Sequence, residues 1–171
     1  AMVGWEARCA DAAVGAVVFS SDAAVHYHNI EKPCILVRWE TTPDDLKGMV
    51  AAEGILTSHG GKTSHAAVIA RGMGAPCVCG AEALKIDAKA KECKISGTDV
   101  VLHEGDIISI NGTTGDIIVG AVPLTRPELT GDLETILEWA DDVRHDASRG
   151  RLFGVRTNAD NPADAQLSVD F

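Results

Sequence analysis

Apolar residues in the first half of the chain fall in short β-branched runs separated by polar or glycine-bearing joints. Residues 15–19 (Gly-Ala-Val-Val-Phe) form the first such run and predict a strand. Ser21-Asp22 is a capping pair for a short helix reaching about Asn29, and Pro33 bounds that helix before a second strand over 34–38. Thr42-Pro43-Asp44-Asp45 combines an N-cap residue, proline at the first helical position and acids in the first turn, a strong helix start. Leu46, Met49 and Val50 then recur at helical spacing, and 54–57 predicts a third strand. After Gly80 the pattern turns wholly to strands. Residues 84–86 and 93–95 flank a polar turn, 100–102 follows Gly97, and 107–110 pairs with 117–119 through the hairpin-type loop Asn111-Gly112-Thr113-Thr114-Gly115. Strand–helix units followed by hairpins predict an α/β domain with a mixed sheet over residues 14–120.

The chain is organised around residues 54–80, GILTSHGGKTSHAAVIARGMGAPCVCG. A buried strand runs into Gly60-Gly61, which permits a sharp turn. Thr63 and Ser64 are N-cap residue types, and residues 66–71 continue as good helix formers. Gly72 and Gly74 are expected to stop the helix, and Pro76 confirms the stop before Cys77-Val78-Cys79. His65 is thereby placed in the first helical turn, where unpaired N–H groups and the helix dipole favour an anion. A nucleophilic side chain on an anion site suggests a histidine that carries a phosphoryl group.

Flanking segments are less regular. Residues 1–13 read as a connecting segment, and 121–150 as a proline-bearing linker followed by a helix that Gly131-Asp132 opens, with Leu133, Ile136, Leu137 and Ala140 on one face. Residues 151–171 look like the start of a further βα unit, with a strand at 152–155 and a helix start at Asn161-Pro162-Ala163-Asp164. The chain is therefore expected to be a fragment of a larger enzyme, with Ala1-Met2 an added start.

A formal net charge of −10 argues against nucleic acid, which requires a basic footprint. An acidic chain that handles phosphate must gather positive potential locally, and Lys62, Arg71 and a helix N-terminus beside His65 would do so. The longest apolar runs, 14–19 and 66–70, are too short to cross a membrane, and no secretory signal pattern is present. Five cysteines without framework spacing suit a reducing cytoplasm. Cys77 and Cys79 would share one strand face. They lack a second ligand pair, so small buried side chains are a better reading than a metal site.

Of the six histidines, His26 and His28 do not share a helix face and make a poor metal pair, and His103 and His145 read as surface residues. His59 is the real competitor, because Thr-Ser-His occurs at both 57–59 and 63–65. Only the second copy runs straight into a helix, so the anion argument selects His65 and leaves His59 at the rim. The chemistry requires a neutral imidazole nitrogen attacking phosphorus in line, with fixed donors stabilising the charge that develops. The dipole contributes only about 0.3–1 kcal/mol when exposed. Hydroxyls, cations or a partner domain must supply the rest. Thr63 and Ser64 can offer hydroxyls or backbone N–H groups while also capping the helix. Arg71 lies about a third of a turn off the His65 face, and a solvated helix-end cation is an equal reading of it.

These residues resemble a known family. GGKTSHAAVIARGMG at 60–74 is similar to the phosphohistidine motif of the phosphoenolpyruvate-utilising enzymes. Its flanks are closest to the dikinase branch: Arg71-Gly72-Met73-Gly74 with Cys77-Val78-Cys79-Gly80, Thr42-Pro43-Asp44-Asp45 with Gly48-Met49, residues 109–115, the 131–141 segment, and Asn158-Ala159-Asp160-Asn161-Pro162. The resemblance spans about residues 12–171. It implies a layered β/β/α swivelling phosphohistidine domain, set between an ATP-grasp nucleotide domain and a barrel that binds pyruvate or phosphoenolpyruvate. His65 would be the nucleophile, with Gly61, Thr63, Ser64 and Arg71 as the phosphoryl-stabilising set. The complete enzyme would interconvert ATP, phosphate and pyruvate with AMP, pyrophosphate and phosphoenolpyruvate. It would use Mg²⁺ held by the missing domains and act as a homodimer. In plant members the threonine matching Thr63 is regulated by phosphorylation. The chain departs from the pattern at Lys62, where methionine is usual, and at Cys9-Ala10-Asp11-Ala12-Ala13, which replaces a Ser-Pro-Gly-like approach. A carrier from the synthase branch, or a swivelling interaction module without catalysis, are the alternatives.

Overall fold

The computed structural model describes residues 12–124, together with Thr135, Ile136, residues 138–140 and Asp142. By its contacts the chain divides into two compact units, Ala1–Thr125 and Arg126–Phe171. In the second unit the described residues are helical, and Ile136 and Ala140, expected on an apolar face, are exposed. Of the expected connecting segment 1–13, Ala12 and Ala13 are instead part of the first strand; its residues up to Asp11, the barrel start over 151–171, Cys9 and His145 lie outside the described residues.

Four apolar runs of the first unit become neighbouring parallel strands: β1 (Ala12–Val18), β2 (Cys34–Arg38), β3 (Gly54–Thr57) and β4 (Cys77–Val78). Strands β5 (Leu84–Asp87), β6 (Glu92–Ile95) and β7 (Val101–His103) form a separate antiparallel sheet. The chain then returns to the large sheet through β8 (Ile107–Asn111), antiparallel to β1, and β9 (Ile117–Val119), completing the order β4-β3-β2-β1-β8-β9. Helices α1 (Ser21–Asn29), α2 (Leu46–Ala51) and α3 (His65–Met73) make the crossovers between the parallel strands.

Alternation along each strand sorts the side chains into two cores. Val18, Leu36, Ile55 and Cys77 stand in register across the parallel strands. They pack with Ala24, Met49, Ala66, Ala67 and Ala70 from the helices. Val17, Ile35, Val37, Leu56 and Val78 point the other way, toward Leu84, Cys93, Ile95 and Leu102 of the small sheet. The large sheet therefore carries helices on one face and the small sheet on the other. Because both faces are covered, its parallel strands read as continuous apolar runs rather than alternating ones.

Three local expectations are corrected. Helix α1 is capped by Ser20, whose hydroxyl accepts the Ala23 N–H at 3.2 Å, and not by Ser21-Asp22. Ser21 is instead turned inward to Asp45. On α2 only Met49 of the expected apolar triplet is buried; Leu46 and Val50 are exposed, at 45% and 64%. The helix is only six residues long, so one apolar side chain and the glycine beside it make its contact face. Gly72 lies within α3, and only Gly74, at φ 67, ends it.

Candidate functional site

The site grows from the adjacent carboxyl ends of β3 and β4. Thr57, fully buried, donates its hydroxyl to the His59 carbonyl at 2.8 Å and so turns the chain sharply out of the sheet. Gly60 follows at φ 109, where a side chain would meet Ser64 Cβ at 2.9 Å. Gly80, at φ 77, leaves β4 so close to this turn that a Cβ there would lie 2.6 Å from the Gly60 carbonyl oxygen. The Ala81 N–H reaches the Thr57 carbonyl at 3.0 Å and locks the two strand exits together. Glycine is required at both positions by left-handed backbone and by contact.

Ser64 is the N-cap of α3. Its φ and ψ of −64° and 157° are extended, and its hydroxyl accepts the Ala67 N–H at 3.3 Å. The helix is seated by Ala66, Ala67 and Ala70, all buried against the sheet. His65 is its first residue and is half-buried. The His65 Nε2 atom is shielded from solvent and has no hydrogen-bond partner. Among the described residues Arg38 Nε and Thr41 Oγ1 are likewise buried without a partner, and only the His65 nitrogen stands at this helix start.

The remaining expected site residues lie on the loop before His65 and on α3 after it. Gly61 and Thr63 are exposed, and a Cβ built on Gly61 meets nothing within 4 Å. Arg71 spans its angular offset with side-chain length, and its guanidinium donates to the Lys62 carbonyl at 3.5 Å. Its charge therefore lies at the loop that leads into His65. Residues 54–81 contain no aspartate or glutamate in a chain whose net charge is −10, so this segment is locally electropositive. Among the described residues, no group of three or more His, Cys, Asp or Glu side chains could hold a metal ion. Nor is any helix there long and apolar enough to cross a membrane. Around His65 the segment 54–81 offers hydroxyls, imidazoles, a lysine and an arginine but no carboxylate, so it is not itself a magnesium-binding donor set.

Three features escaped the sequence reading. Cys79 lies beneath Ser64, with the serine hydroxyl 3.6 Å from its sulfur, and Cys77 Sγ is 3.3 Å from Cys79 Sγ. A hydrogen bond from Cys77 lowers the Cys79 thiol to about 6; burial opposes the shift, and Ser64 and Thr57 add to it. His59 is exposed and stacks on Trp39, with ring centroids 4.8 Å apart and planes within 2°. Its N–H also reaches the Trp39 carbonyl at 2.8 Å. Finally, the loop bearing Trp39 is held by Asp45. Burial alone would raise that carboxyl, but the Thr42 N–H, the Ser21 hydroxyl, the Arg38 guanidinium and the Thr42 hydroxyl together hold it below its usual value. Adjacent exposed residues joined by a glycine turn gave a partial signal for the His59 region. Cys77 and Cys79 on one strand face, and Thr42 three residues before Asp45, were local signs; the contacts of Cys79 with Ser64 and of Asp45 with Ser21 are long-range and had none. His103 pairs with Asp106 at 3.6 Å on the small sheet, and His26 and His28 lie on α1.

Comparison with known proteins places this geometry. The family described as "PEP-utilising enzyme, mobile domain" matches residues 30–115. The chain is 49% identical over 160 residues to pyruvate, phosphate dikinase of Rhizobium meliloti, covering 94% of this chain and 17% of that protein. It is 48% identical over 161 residues to pyruvate, phosphate dikinase of Entamoeba histolytica, with 94% and 17% covered. Against pyruvate, phosphate dikinase 2 of Zea mays it is 49% identical over 154 residues, with 90% and 16% covered. The chain thus spans about 17% of the length of the first two relatives.

Proposed function

This chain belongs to the PEP-utilising enzyme mobile-domain family, and on that premise we propose that it is the phosphoryl carrier of a pyruvate, phosphate dikinase, with His65 as the group that is phosphorylated. The observation that carries this reading is the place of His65: first residue of α3, behind the Ser64 cap, with an unpartnered ring nitrogen. A neutral imidazole nitrogen there attacks phosphorus in line, and the phosphoryl oxygens meet the helix N-terminus as their charge builds. In the present side-chain orientation Nε2 is secluded, so the ring turns outward before that nitrogen bonds phosphorus. Thr63 and Ser64 offer hydroxyls, Gly61 leaves room for an approaching group, and Arg71 supplies a cation from the loop side.

The carrier would accept its phosphoryl group at an ATP-grasp domain and deliver it to pyruvate in a barrel domain. It would swivel between them on segments flanking residues 14–120, including the linker and helix of 121–150, with the barrel beginning within 151–171. Those domains would hold Mg²⁺, and the complete protein would be a cytoplasmic homodimer that interconverts ATP, phosphate and pyruvate with AMP, pyrophosphate and phosphoenolpyruvate. Relatives named as dikinases at 48–49% identity favour this reaction over that of the synthase branch. A requirement for inorganic phosphate with release of pyrophosphate separates the two.

The test is to give the longer protein phosphoenolpyruvate labelled in its phosphoryl group and to follow acid-labile, base-stable label. The unaltered chain and His59→Ala are expected to take up label, and His65→Ala to take up none. Label retained by a folded His65→Ala would overturn the assignment. Absence of label in the unaltered chain would support the non-catalytic module instead.

A further inference from the structure

We propose that Cys79 is a peroxide-sensitive thiol, and that Cys77 resolves its oxidised form into a disulfide beneath the α3 cap. The inference goes beyond the carrier reading, and its chemical test does not depend on it.

Four observations place the site. The two sulfurs are 3.3 Å apart on one face of the chain, with Cys77 at the start of β4 and Cys79 just past its last residue, Val78. A disulfide needs about 2.05 Å between sulfurs, so roughly an ångström of approach closes the bond. Cys77 is fixed by its register with Ile55, whereas Cys79 has left the ladder and is followed by Gly80 in left-handed backbone. The movement is therefore taken by Cys79. Its reactivity also differs from that of its neighbours: the Cys79 thiol is lowered to about 6, while burial pushes Cys34 and Cys93 up to about 11. At neutral pH Cys79 alone among these three is largely thiolate, the form that reacts. Cys79 is itself buried, and the group that touches its sulfur from the loop side, Ser64, is only half-buried. A small oxidant suits that access better than a bulky disulfide does.

The chemistry balances with hydrogen peroxide as the oxidant. The Cys79 thiolate attacks one peroxide oxygen, the O–O bond breaks, and the departing hydroxide takes a proton to become water, leaving a sulfenic acid. The Cys77 sulfur then attacks the Cys79 sulfur, the S–O bond breaks, and hydroxide leaves with the Cys77 proton as a second water. Two thiols and one peroxide give one disulfide and two waters.

Closure has a mechanical consequence. Drawing Cys79 Sγ toward Cys77 removes the sulfur that accepts the Ser64 hydroxyl, and it moves Gly80, which stands against the Gly60 carbonyl. Both contacts support the loop that presents His65. Oxidation should therefore act on the site without touching the histidine.

The experiment treats the Cys9→Ser chain with a small excess of hydrogen peroxide at neutral pH and maps each cysteine by peptide mass. The expected result is a Cys77–Cys79 peptide lighter by two hydrogen atoms, restored by dithiothreitol. It should form at least about tenfold faster than Cys34 or Cys93 is oxidised. Cys77→Ala also removes the hydrogen bond that lowers the Cys79 thiol, so there the reaction should be slower and should stop at a Cys79 sulfenic acid that dimedone traps. Equal oxidation of Cys34, Cys79 and Cys93, or a Cys77–Cys79 peptide that stays reduced while the others react, would overturn the proposal. Both results are read from the chain with its cysteine pair intact, so they stand whether or not Cys77→Ala folds. A second arm, which does rest on the carrier reading, compares label uptake by the oxidised and re-reduced protein and expects a reversible loss.

Discussion

The tripeptide Thr-Ser-His occurs twice, at 57–59 and 63–65, and the two copies fold differently. In the first, the threonine closes a β-strand by bonding forward to the histidine carbonyl. The serine hydroxyl lies 3.5 Å from the Trp39 carbonyl, and the histidine stacks on the exposed Trp39 ring. In the second, the threonine is exposed, the serine caps a helix, and the histidine begins that helix with a ring nitrogen left unpartnered. Identical side chains thus serve as the end of a sheet in one place and the start of a helix in the other. The difference lies in the residues on the carboxyl side of each copy. Two glycines come after His59 and allow the chain to reverse, whereas Ala66 and Ala67 come after His65 and continue as helix. The chemistry proposed for His65 therefore rests on backbone context rather than on the motif's three letters.

The strongest way to break this contrast is to alter the joint between the copies. Gly60 and Gly80 both have left-handed backbone, and a Cβ on Gly80 would meet the Gly60 oxygen at 2.6 Å. Alanine at either position is expected to cost about 1–3 kcal/mol, Gly80→Ala at the upper end, measured by urea unfolding. Gly61→Ala should stay within about 0.5 kcal/mol, because its Cβ would enter open space. If Gly60→Ala proved as mild as Gly61→Ala, the turn would not be what separates the two copies.

That joint also shows what a sequence can and cannot reveal here. Strands β2 and β3 follow directly from their apolar runs, with the expected limits of 34–38 and 54–57, because continuous burial on both faces leaves no polar break inside them. The start of α3 is equally local, since Ser64 and the alanines after it are adjacent in the chain. Met49, by contrast, was indistinguishable from Leu46 and Val50 by spacing, and only the packing of α2 into the helix-side core chooses among them. The approach of Gly80 to Gly60, the Cys79 sulfur under Ser64 and the Trp39 ring over His59 each join residues that parallel crossovers bring together. No periodicity encodes such contacts. Glycines two or three residues past the ends of β4 and β3 were the local sign of the first.

A smaller effect sharpens the comparison at the serines. Ser64→Ala removes the N-cap of α3 and should cost about 1 kcal/mol. It should also speed hydrogen exchange at the Ala67 amide, which the hydroxyl now holds. Ser58→Ala loses only a 3.5 Å contact to the Trp39 carbonyl and should cost about 0.5 kcal/mol or less, with Ala67 exchange unchanged. Equal effects would mean that capping does not distinguish the copies.

The mildest expected effect is acid loosening of the first copy alone. Asp45 accepts the Thr42 N–H at 3.0 Å and the Arg38 guanidinium at 3.4 Å, and so braces both ends of the loop that carries Trp39. Burial opposes the charge on Asp45, but these partners and Ser21 prevail, and its carboxyl is held below the usual value. An unfolded aspartate titrates near about 3.9. A group depressed in the fold stabilises it above that value, and the contribution is lost as pH falls through the lower folded value. Lowering the pH below about 4 should therefore shift the Trp39 indole resonance while the Ala67 amide, which reports the second copy, holds its position. Asp45→Asn keeps the shape without the charge. It should lower stability at neutral pH and flatten the acid limb, so that the gap to the unaltered chain narrows as the pH falls. If Ala67 moved together with Trp39, the two copies would be responding as one unit, and the site at His65 would be coupled to a loop that meets this segment through His59 and Ser58.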